Sequence, residues 1–184
     1  MFGFEDGREG LALRSSKELF RLLNEKQDSH TFTVHVNVYE LYMEKFTDLI
    51  KKAEESEEMK KKQEKIYSEL KLRMVDKNAG FEVVGVKKKS ITGADELIST
   101  MKKSIATRSE GKTAMNVASS RSHVFAIVDI SSTDKNTGTV TTSKLTLLDL
   151  AGTERVNKRY DDSSFDIHHF FSSLHHTQHL HLFL

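Results

Sequence analysis

The sequence has no cysteine, no proline and no tryptophan among its 184 residues. Without cysteine the chain can form neither a disulfide nor a Cys-ligated metal site, and this composition fits a reducing compartment such as the cytoplasm. Average sequences contain about 5% proline, so turns here must rely on glycine, asparagine and aspartate, as at 76–80 and 134–138.

The sequence also lacks long apolar runs and a strong charge of either sign. No apolar run reaches the length of a bilayer-spanning helix, and the charged start does not resemble a signal peptide. The formal net charge of +1 provides no general attraction to nucleic acid or to acidic membranes. The bulk composition therefore predicts a single α/β domain with neither a membrane span nor a nucleic-acid partner.

Two polar motifs lie beside apolar segments in the second half of the chain. The first, at 116–123, reads Asn-Val-Ala-Ser-Ser-Arg-Ser-His, and the second, at 149–154, reads Asp-Leu-Ala-Gly-Thr-Glu. Short hydroxyl side chains beside an arginine suit a loop that closes on a phosphate and its magnesium ion. A carboxylate at the end of an apolar strand can hold the metal's water shell, and a glycine three residues later lets a backbone N–H approach the terminal phosphate.

The two motifs together resemble the nucleotide switches of the kinesin motor domain family, which read Asn-x-x-Ser-Ser-Arg-Ser-His and Asp-Leu-Ala-Gly-Ser-Glu. Thr153 replaces the usual serine and keeps its hydroxyl. Segment 39–50 is similar to a further kinesin segment, Glu-Ile-Tyr-x-Glu-x-Ile-x-Asp-Leu-Leu, and its aromatic and aliphatic residues are predicted to serve the core. The resemblance covers residues 1–156, which we expect to form part of a motor domain.

The resemblance implies an α/β fold, a partial kinesin-type P-loop NTPase with a central mixed β-sheet and helices on both faces. Alternating apolar residues predict a strand at 31–38, apolar runs predict strands at 124–130 and 144–150, and segments flanking a turn predict a hairpin at 70–86. Ser15 with Glu18 predicts one helix start, and residues 92–95 predict another. The Lys- and Glu-rich stretch 51–69 is predicted to be a charged helical insertion, either a solvated surface or a partner-binding element.

The activity implied by the resemblance is ATP hydrolysis coupled to movement along microtubules, in the cytoplasm and its cytoskeleton, with ATP and Mg²⁺ as cofactors. Ser120 would bind Mg²⁺ directly and Asp149 would hold it through water. Asn116 and Ser119 would contact the γ-phosphate or organise the attacking water, and the Gly152 N–H would contact the γ-phosphate. Arg121 and Glu154 would form a salt bridge that joins the two switches and helps to position this water.

Two regions depart from the family pattern. No Gly-x-x-x-x-Gly-Lys-Ser/Thr occurs in the sequence, and Gly111-Lys112-Thr113 lacks the earlier glycine and a preceding strand. The chain is therefore expected to begin after its phosphate-binding loop and to be inactive alone. The tail, 157–184, holds six of the nine histidines and is predicted to be disordered or foreign to the family. A less favoured alternative is a metal site at His175 and His179, which have i, i+4 spacing.

The departures leave alternative functions open. The chain could be a non-catalytic kinesin-like module that binds tubulin or another partner, or a truncated inactive gene product. The basic run Lys87, Lys88 and Lys89 either docks onto the acidic surface of tubulin or forms a solvated turn. Direction of movement, cargo and dimerisation have no signature in these residues.

Overall fold

The structure is a computed structural model that describes residues 2–3, 9–42, 45–55, 70–76, 80–109, 122–151 and 180–183. The described helices are α1 (Leu11–Glu25), α2 (Leu49–Glu54) and α3 (Ala94–Ala106), the last continued by a 3-10 turn at Thr107–Ser109. The described strands are β1 (His30–Tyr42), β2 (Lys45–Asp48), β3 (Lys71–Asp76), β4 (Gly80–Val84), β5 (Lys89–Ile91), β6 (Ser122–Asp134), β7 (Val140–Asp149) and β8 (Leu180–Phe183).

Six of these strands form one mixed sheet. Its order is β2-β1-β6-β7-β8, and β5 pairs with β1. The β1–β6 and β6–β7 pairs are antiparallel, whereas β7 and β8 run parallel through Leu145↔Leu180 to Leu148↔Phe183. Strands β3 and β4 form the predicted hairpin as a separate two-stranded sheet. The predicted α/β class and mixed sheet are confirmed.

The three described helices pack against one face of the sheet. Alternate residues of β1, including Val34 and Val36, point to this face and meet Phe20 of α1 and Leu97 of α3 in the main apolar cluster. The opposite face carries a second cluster, in which Tyr39 and Phe125 stack with their ring centroids 4.9 Å apart. Leu72 and Val83 of the β3–β4 hairpin cover this cluster, so any helix on the second face lies outside the described residues.

The structure differs from the sequence prediction at the start of α1. The helix begins at Leu11, capped by the extended backbone of Gly10, four residues before the predicted start at Ser15. Ser16 is buried inside the helix, where its hydroxyl donates to the carbonyl oxygen of Ala12 at 2.7 Å. The prediction of a helix start capped by Ser15 and Glu18 is wrong. The capping residue is a glycine, which has no side chain that would mark the helix start in the sequence.

The predictions for the charged insertion and for the tail can be compared with the structure only in part. Helix α2 includes the first residues of the 51–69 insertion, and residues 56–69 lie outside the described part of the chain. Predicted disorder does not hold for Leu180–Phe183, whose backbone pairs with β7 as β8. Residues 152–179, including His175 and His179, are outside the described residues, so the other predictions for the tail remain predictions. No helix among the described residues is long and apolar enough to cross a membrane.

Candidate functional site

Four elements meet at one end of the main sheet. Antiparallel pairing places the end of β1 beside the start of β6, with Tyr42 opposite Ser122. It also places the end of β7 there, with Asp149 opposite Val124. The 3-10 turn after α3 adds Arg108 to the same place. Both polar motifs of the sequence therefore have described residues at this end of the sheet.

Arg108 connects these elements through its guanidinium group. Its Nη1 donates to Asp149 Oδ2 at 3.1 Å, and its Nε lies 3.3 Å from Glu40 Oε1. Nε and Nη2 donate to Ser122 Oγ at 3.1 and 2.9 Å, and Nη2 also donates to the Ser122 carbonyl oxygen at 2.9 Å. Because a guanidinium has five N–H donors in a fixed plane, it can hold β1, β6 and β7 in one arrangement.

The Arg108 cluster is shielded from solvent to different degrees. The side chains of Arg108 and Glu40 are only 10% and 12% exposed, whereas that of Asp149 is 33% exposed. Charges that are removed from water are stable only when they are paired and hydrogen-bonded. Arg108 and Glu40 therefore form the buried base of the cluster, and Asp149 is its solvent-facing carboxylate.

His123 joins the two motifs beside this cluster. Its Nδ1 accepts a hydrogen bond from the backbone N–H of Ala151 at 3.2 Å. Burial lowers the pKa of His123, the charge of Arg108 lowers it further, and the charge of Asp149 acts in the opposite direction. The ring is therefore held neutral with its proton on Nε2, since Nδ1 must keep its lone pair to accept from Ala151.

Asp149 has the geometry and chemistry to hold a magnesium ion through water. Among the described residues, Arg108 contacts the Asp149 carboxylate through Oδ2. The other oxygen of Asp149, Oδ1, can therefore accept a hydrogen bond from metal-bound water. Mg²⁺ prefers oxygen ligands and keeps several of its waters in nucleotide sites. Asp149 is the last residue of β7, and ligands of α/β proteins bind beyond the carboxyl ends of strands.

The structure describes one of the predicted site residues and adds two that the sequence analysis missed. Asp149 lies in the cluster, whereas Asn116, Ser119, Ser120, Arg121, Gly152 and Glu154 are outside the described residues. Arg108 and Glu40 are the additional members. Glu40 falls in segment 39–50, whose aromatic and aliphatic residues were predicted to serve the core; Tyr39 and Leu41 do so, and the role of Glu40 was not predicted.

The basic run is paired within the chain. Lys87 Nζ binds Glu54, Lys88 Nζ lies 2.9 Å from Asp129 Oδ2, and Lys89 Nζ donates to Thr100 Oγ1 at 3.2 Å. These contacts favour a structural role for the run over a docking site for an acidic filament. The ion pairs of Lys87 and Lys88 are largely exposed and can exchange partners at little cost in free energy, whereas Lys89 binds the buried Thr100.

Known proteins match this chain over most of its length. The family model described as "Kinesin motor domain" matches residues 1–176. The chain belongs to the kinesin motor domain family. The match runs past Val156, the limit of the resemblance in the sequence.

Individual relatives agree with this assignment. The Kinesin-like protein KIN-1 of Oryza sativa subsp. japonica is 29% identical over 151 residues, which are 82% of this chain and 29% of that protein. The kinesin heavy chain of Syncephalastrum racemosum is 29% identical over 154 residues, 84% of this chain and 15% of that protein. The solved structure of a fast kinesin matches this chain with a TM-score of 0.66 at 25% sequence identity. The match covers 92% of this chain and 43% of the fast kinesin chain. The chain thus spans less than a third of these two curated relatives.

Proposed function

We propose that this chain supplies the two nucleotide switches of an ATP-hydrolysing microtubule motor that works in the cytoplasm on the microtubule cytoskeleton. The observation that carries the proposal is the Arg108 cluster. Arg108 binds Ser122 of the first motif and Asp149 of the second at the same end of the sheet. The His123–Ala151 hydrogen bond is a second link between the same motifs.

The described residues support the structural part of this proposal. Arg108 fixes the orientation of the Asp149 carboxylate, because a hydrogen bond to Oδ2 leaves Oδ1 directed elsewhere. Glu40 neutralises Arg108 from β1, so the buried cation is balanced before any nucleotide binds. Asp149 would then hold Mg²⁺ through water. When bound, Mg²⁺ neutralises charge between the β- and γ-phosphates of ATP.

The other residues complete the proposed site through the family pattern. Ser120 would bind Mg²⁺ directly, Asn116 and Ser119 would contact the γ-phosphate or orient the attacking water, and the Gly152 N–H would bind the γ-phosphate. Arg121 and Glu154 would pair when both loops close and would help to position this water. Loss of the γ-phosphate would remove the contacts that hold the loops together, which is how nucleotide switches report hydrolysis.

The test uses a chimera in which residues 1–176 replace the matching segment of the Syncephalastrum racemosum kinesin heavy chain. The relative is expected to supply a phosphate-binding loop, since no Gly-x-x-x-x-Gly-Lys-Ser/Thr occurs in residues 1–176. We expect microtubule-stimulated ATPase activity from the chimera. Arg121→Ala or Glu154→Ala should lower its turnover about 10²–10³-fold, as removal of a single electrostatic contact at a reacting centre commonly does. The double variant should lose little more, since the two residues act as a unit.

The chimera also distinguishes the alternative functions. Microtubule binding without ATPase activity in a folded chimera would favour a non-catalytic module. Near-normal turnover in either single variant would contradict the proposed roles of Arg121 and Glu154. The 184-residue chain itself is expected to show no measurable binding of a fluorescent ATP analogue with Mg²⁺, and tight binding would show that its residues suffice to hold the nucleotide.

A further inference from the structure

The tetrapeptide Lys-Lys-Ser-Ile occurs twice in the chain, at 88–91 and at 102–105. The first copy overlaps the edge strand β5, whereas the second lies in α3. Because the two copies have the same sequence, the fold decides how accessible each serine is. In the structure Ser104 is buried, whereas Ser90 is exposed.

The serine of the helical copy is inaccessible. Ser104 is only 1% exposed, and its hydroxyl donates to the Thr100 carbonyl oxygen one helical turn earlier at 2.8 Å. Its own carbonyl oxygen accepts from the hydroxyl of Thr107. A hydroxyl that is buried and hydrogen-bonded in a helix cannot enter the active site of another enzyme without unfolding of that helix.

The serine of the strand copy is exposed. Ser90 is the central residue of β5, which is three residues long and, among the described strands, pairs only with β1. Strand β5 therefore has one edge that no described strand covers. Ser90 pairs with His35, and directly paired residues of neighbouring strands point to the same face. Ser90 thus shares with His35 the face opposite to the helices, in a part of that face where Asp129 and Lys144 are also found.

The residues around Ser90 form a charge pattern. Lys87 and Lys88 lie three and two residues before it, and the apolar Ile91 follows it. Ser104 has a methionine, Met101, in place of the first of these lysines. We propose that Ser90 is the phosphoacceptor of a protein-serine kinase that selects lysine or arginine at these two positions and an apolar residue after the serine. Kinases select substrates by such charge patterns.

The reaction is a phosphoryl transfer with ATP as the second substrate. Ser90 Oγ attacks the γ-phosphorus of the kinase-bound MgATP, and an O–P bond forms as the bond from that phosphorus to the β,γ-bridging oxygen breaks. ADP leaves with the electron pair of the broken bond. The hydroxyl proton passes to a carboxylate base of the kinase.

A cavity lined by charges of both signs lies beside the residue that pairs with Ser90. His35 and Lys88 line this cavity of about 370 Å³ together with Asp129 and Lys144. A phosphoserine carries a charge of about −1.5 to −2, so Lys88 would divide its attraction between the phosphate and Asp129, its present partner at 2.9 Å. The modification would lower the charge of the three-lysine run from +3 to about +1.

The fold sets the rate at which a kinase can act. Kinases bind an extended substrate segment, and Ile91 is only 4% exposed in the main core. The ion pairs of Lys87 and Lys88 are surface pairs and hold the segment weakly. Release of the segment also breaks the Lys89–Thr100 hydrogen bond and the pairing with β1, so phosphorylation should be slower by at least about 10–100-fold than in a free peptide. At that rate the reaction remains measurable.

The experiment incubates the 184-residue chain with MgATP and the catalytic subunit of cAMP-dependent protein kinase, which serves as the basophilic probe. Phosphate is located by mass spectrometry of proteolytic fragments. A synthetic peptide of residues 84–94 provides the unfolded reference, and Ser90→Ala and Ser104→Ala are the matched variants. Circular dichroism establishes that each variant is folded.

We expect one phosphate per chain at Ser90, loss of more than about nine-tenths of the incorporation in Ser90→Ala, and no change in Ser104→Ala. Replacing Lys87 and Lys88 by alanine together should reduce the rate at least about tenfold. Three outcomes would overturn the proposal: phosphate on the peptide but not on the folded chain, phosphate on neither, or incorporation in the folded chain that survives Ser90→Ala unchanged. The result is independent of motor activity, so a failed chimera and a phosphorylated Ser90 can coexist.

Discussion

Two arginines in this molecule each bind two carboxylates, but in opposite environments. Arg21 lies on the outer face of α1, where its side chain is 52% exposed and binds Glu18 and Glu25 of the same helix. Arg108 is 10% exposed and joins Glu40 of β1 to Asp149 of β7. The guanidinium chemistry is the same in both clusters. What differs is the solvent around each charge and the distance along the chain between the partners.

This difference determines what each cluster contributes. An exposed ion pair between neighbouring helical residues can be replaced by contacts with water at almost no cost in free energy, and salt weakens the pair further. The buried pair cannot make that exchange, because removing one partner leaves the other charged and away from water. We therefore expect the Arg108 cluster to control the stability of the sheet end, and the Arg21 cluster to affect only local ionisation.

The largest effect should come from Arg108→Ala. This change leaves Glu40 buried without its cation and removes the donors to Ser122, so the free energy of unfolding should fall by about 3–5 kcal/mol. Urea unfolding of the 184-residue chain, followed by circular dichroism, measures the change. Arg108→Ala combined with Glu40→Leu should recover part of the loss, since the unpaired carboxylate is then absent. A loss below about 1 kcal/mol in Arg108→Ala would contradict the description of a buried, balanced cluster.

The sequence predicted the parts of the fold that depend on local periodicity. Alternation identified β1 and the regular apolar spacing identified α3, because these patterns repeat within a few residues. The Arg108 cluster has no such signal: Asp149 and Ser122 are 41 and 14 residues from Arg108 along the chain. Only the pairing of β1, β6 and β7 brings them together. The Asp149 motif was predictable because family resemblance, rather than periodicity, identified it.

A smaller effect is expected from Glu40→Gln, which keeps the shape of the side chain and removes its charge. Arg108 would then retain Asp149 as its only described carboxylate partner. The free energy of unfolding should fall by about 1–3 kcal/mol, the range for loss of a hydrogen bond to a charged group. Glu54→Gln is the matched control, because Glu54 pairs with Lys87 on the surface and should change stability by less than about 0.5 kcal/mol. If both variants lost the same free energy of unfolding, the buried ion pair would contribute no more to stability than the exposed one.

His123 offers a test of the same cluster through pH. Burial and the nearby Arg108 lower the pKa of His123 in the folded chain, whereas an unfolded histidine titrates near about 6.5. As pH falls below that value, the unfolded state takes up a proton first, so stability should fall until the folded-state pKa is also passed. His123→Asn keeps an acceptor for the Ala151 N–H and should remove this part of the pH dependence. An unchanged slope of stability against pH between wild type and His123→Asn would contradict a neutral, buried ring.

The smallest effect should come from Arg21→Ala, and it should be visible in ionisation rather than in folding. The hydrogen bond from Arg21 lowers the pKa of Glu18, and the same hydrogen bond, together with the charges of Glu18 and Glu25, raises the pKa of Arg21. Without Arg21, the pKa of Glu18 should return towards its ordinary value, as a carboxylate NMR titration would show. A lowered carboxyl pKa in the folded state stabilises it above the unfolded pKa and loses that effect as pH falls through the folded one. Because solvent screens both groups, we nevertheless expect no resolvable shift in the urea midpoint at neutral pH, and none on adding salt. If Arg21→Ala lowered the free energy of unfolding as much as Arg108→Ala, the contributions of the two arginines would not depend on their exposure. Ion pairs within one helix would then stabilise this fold as strongly as those between strands.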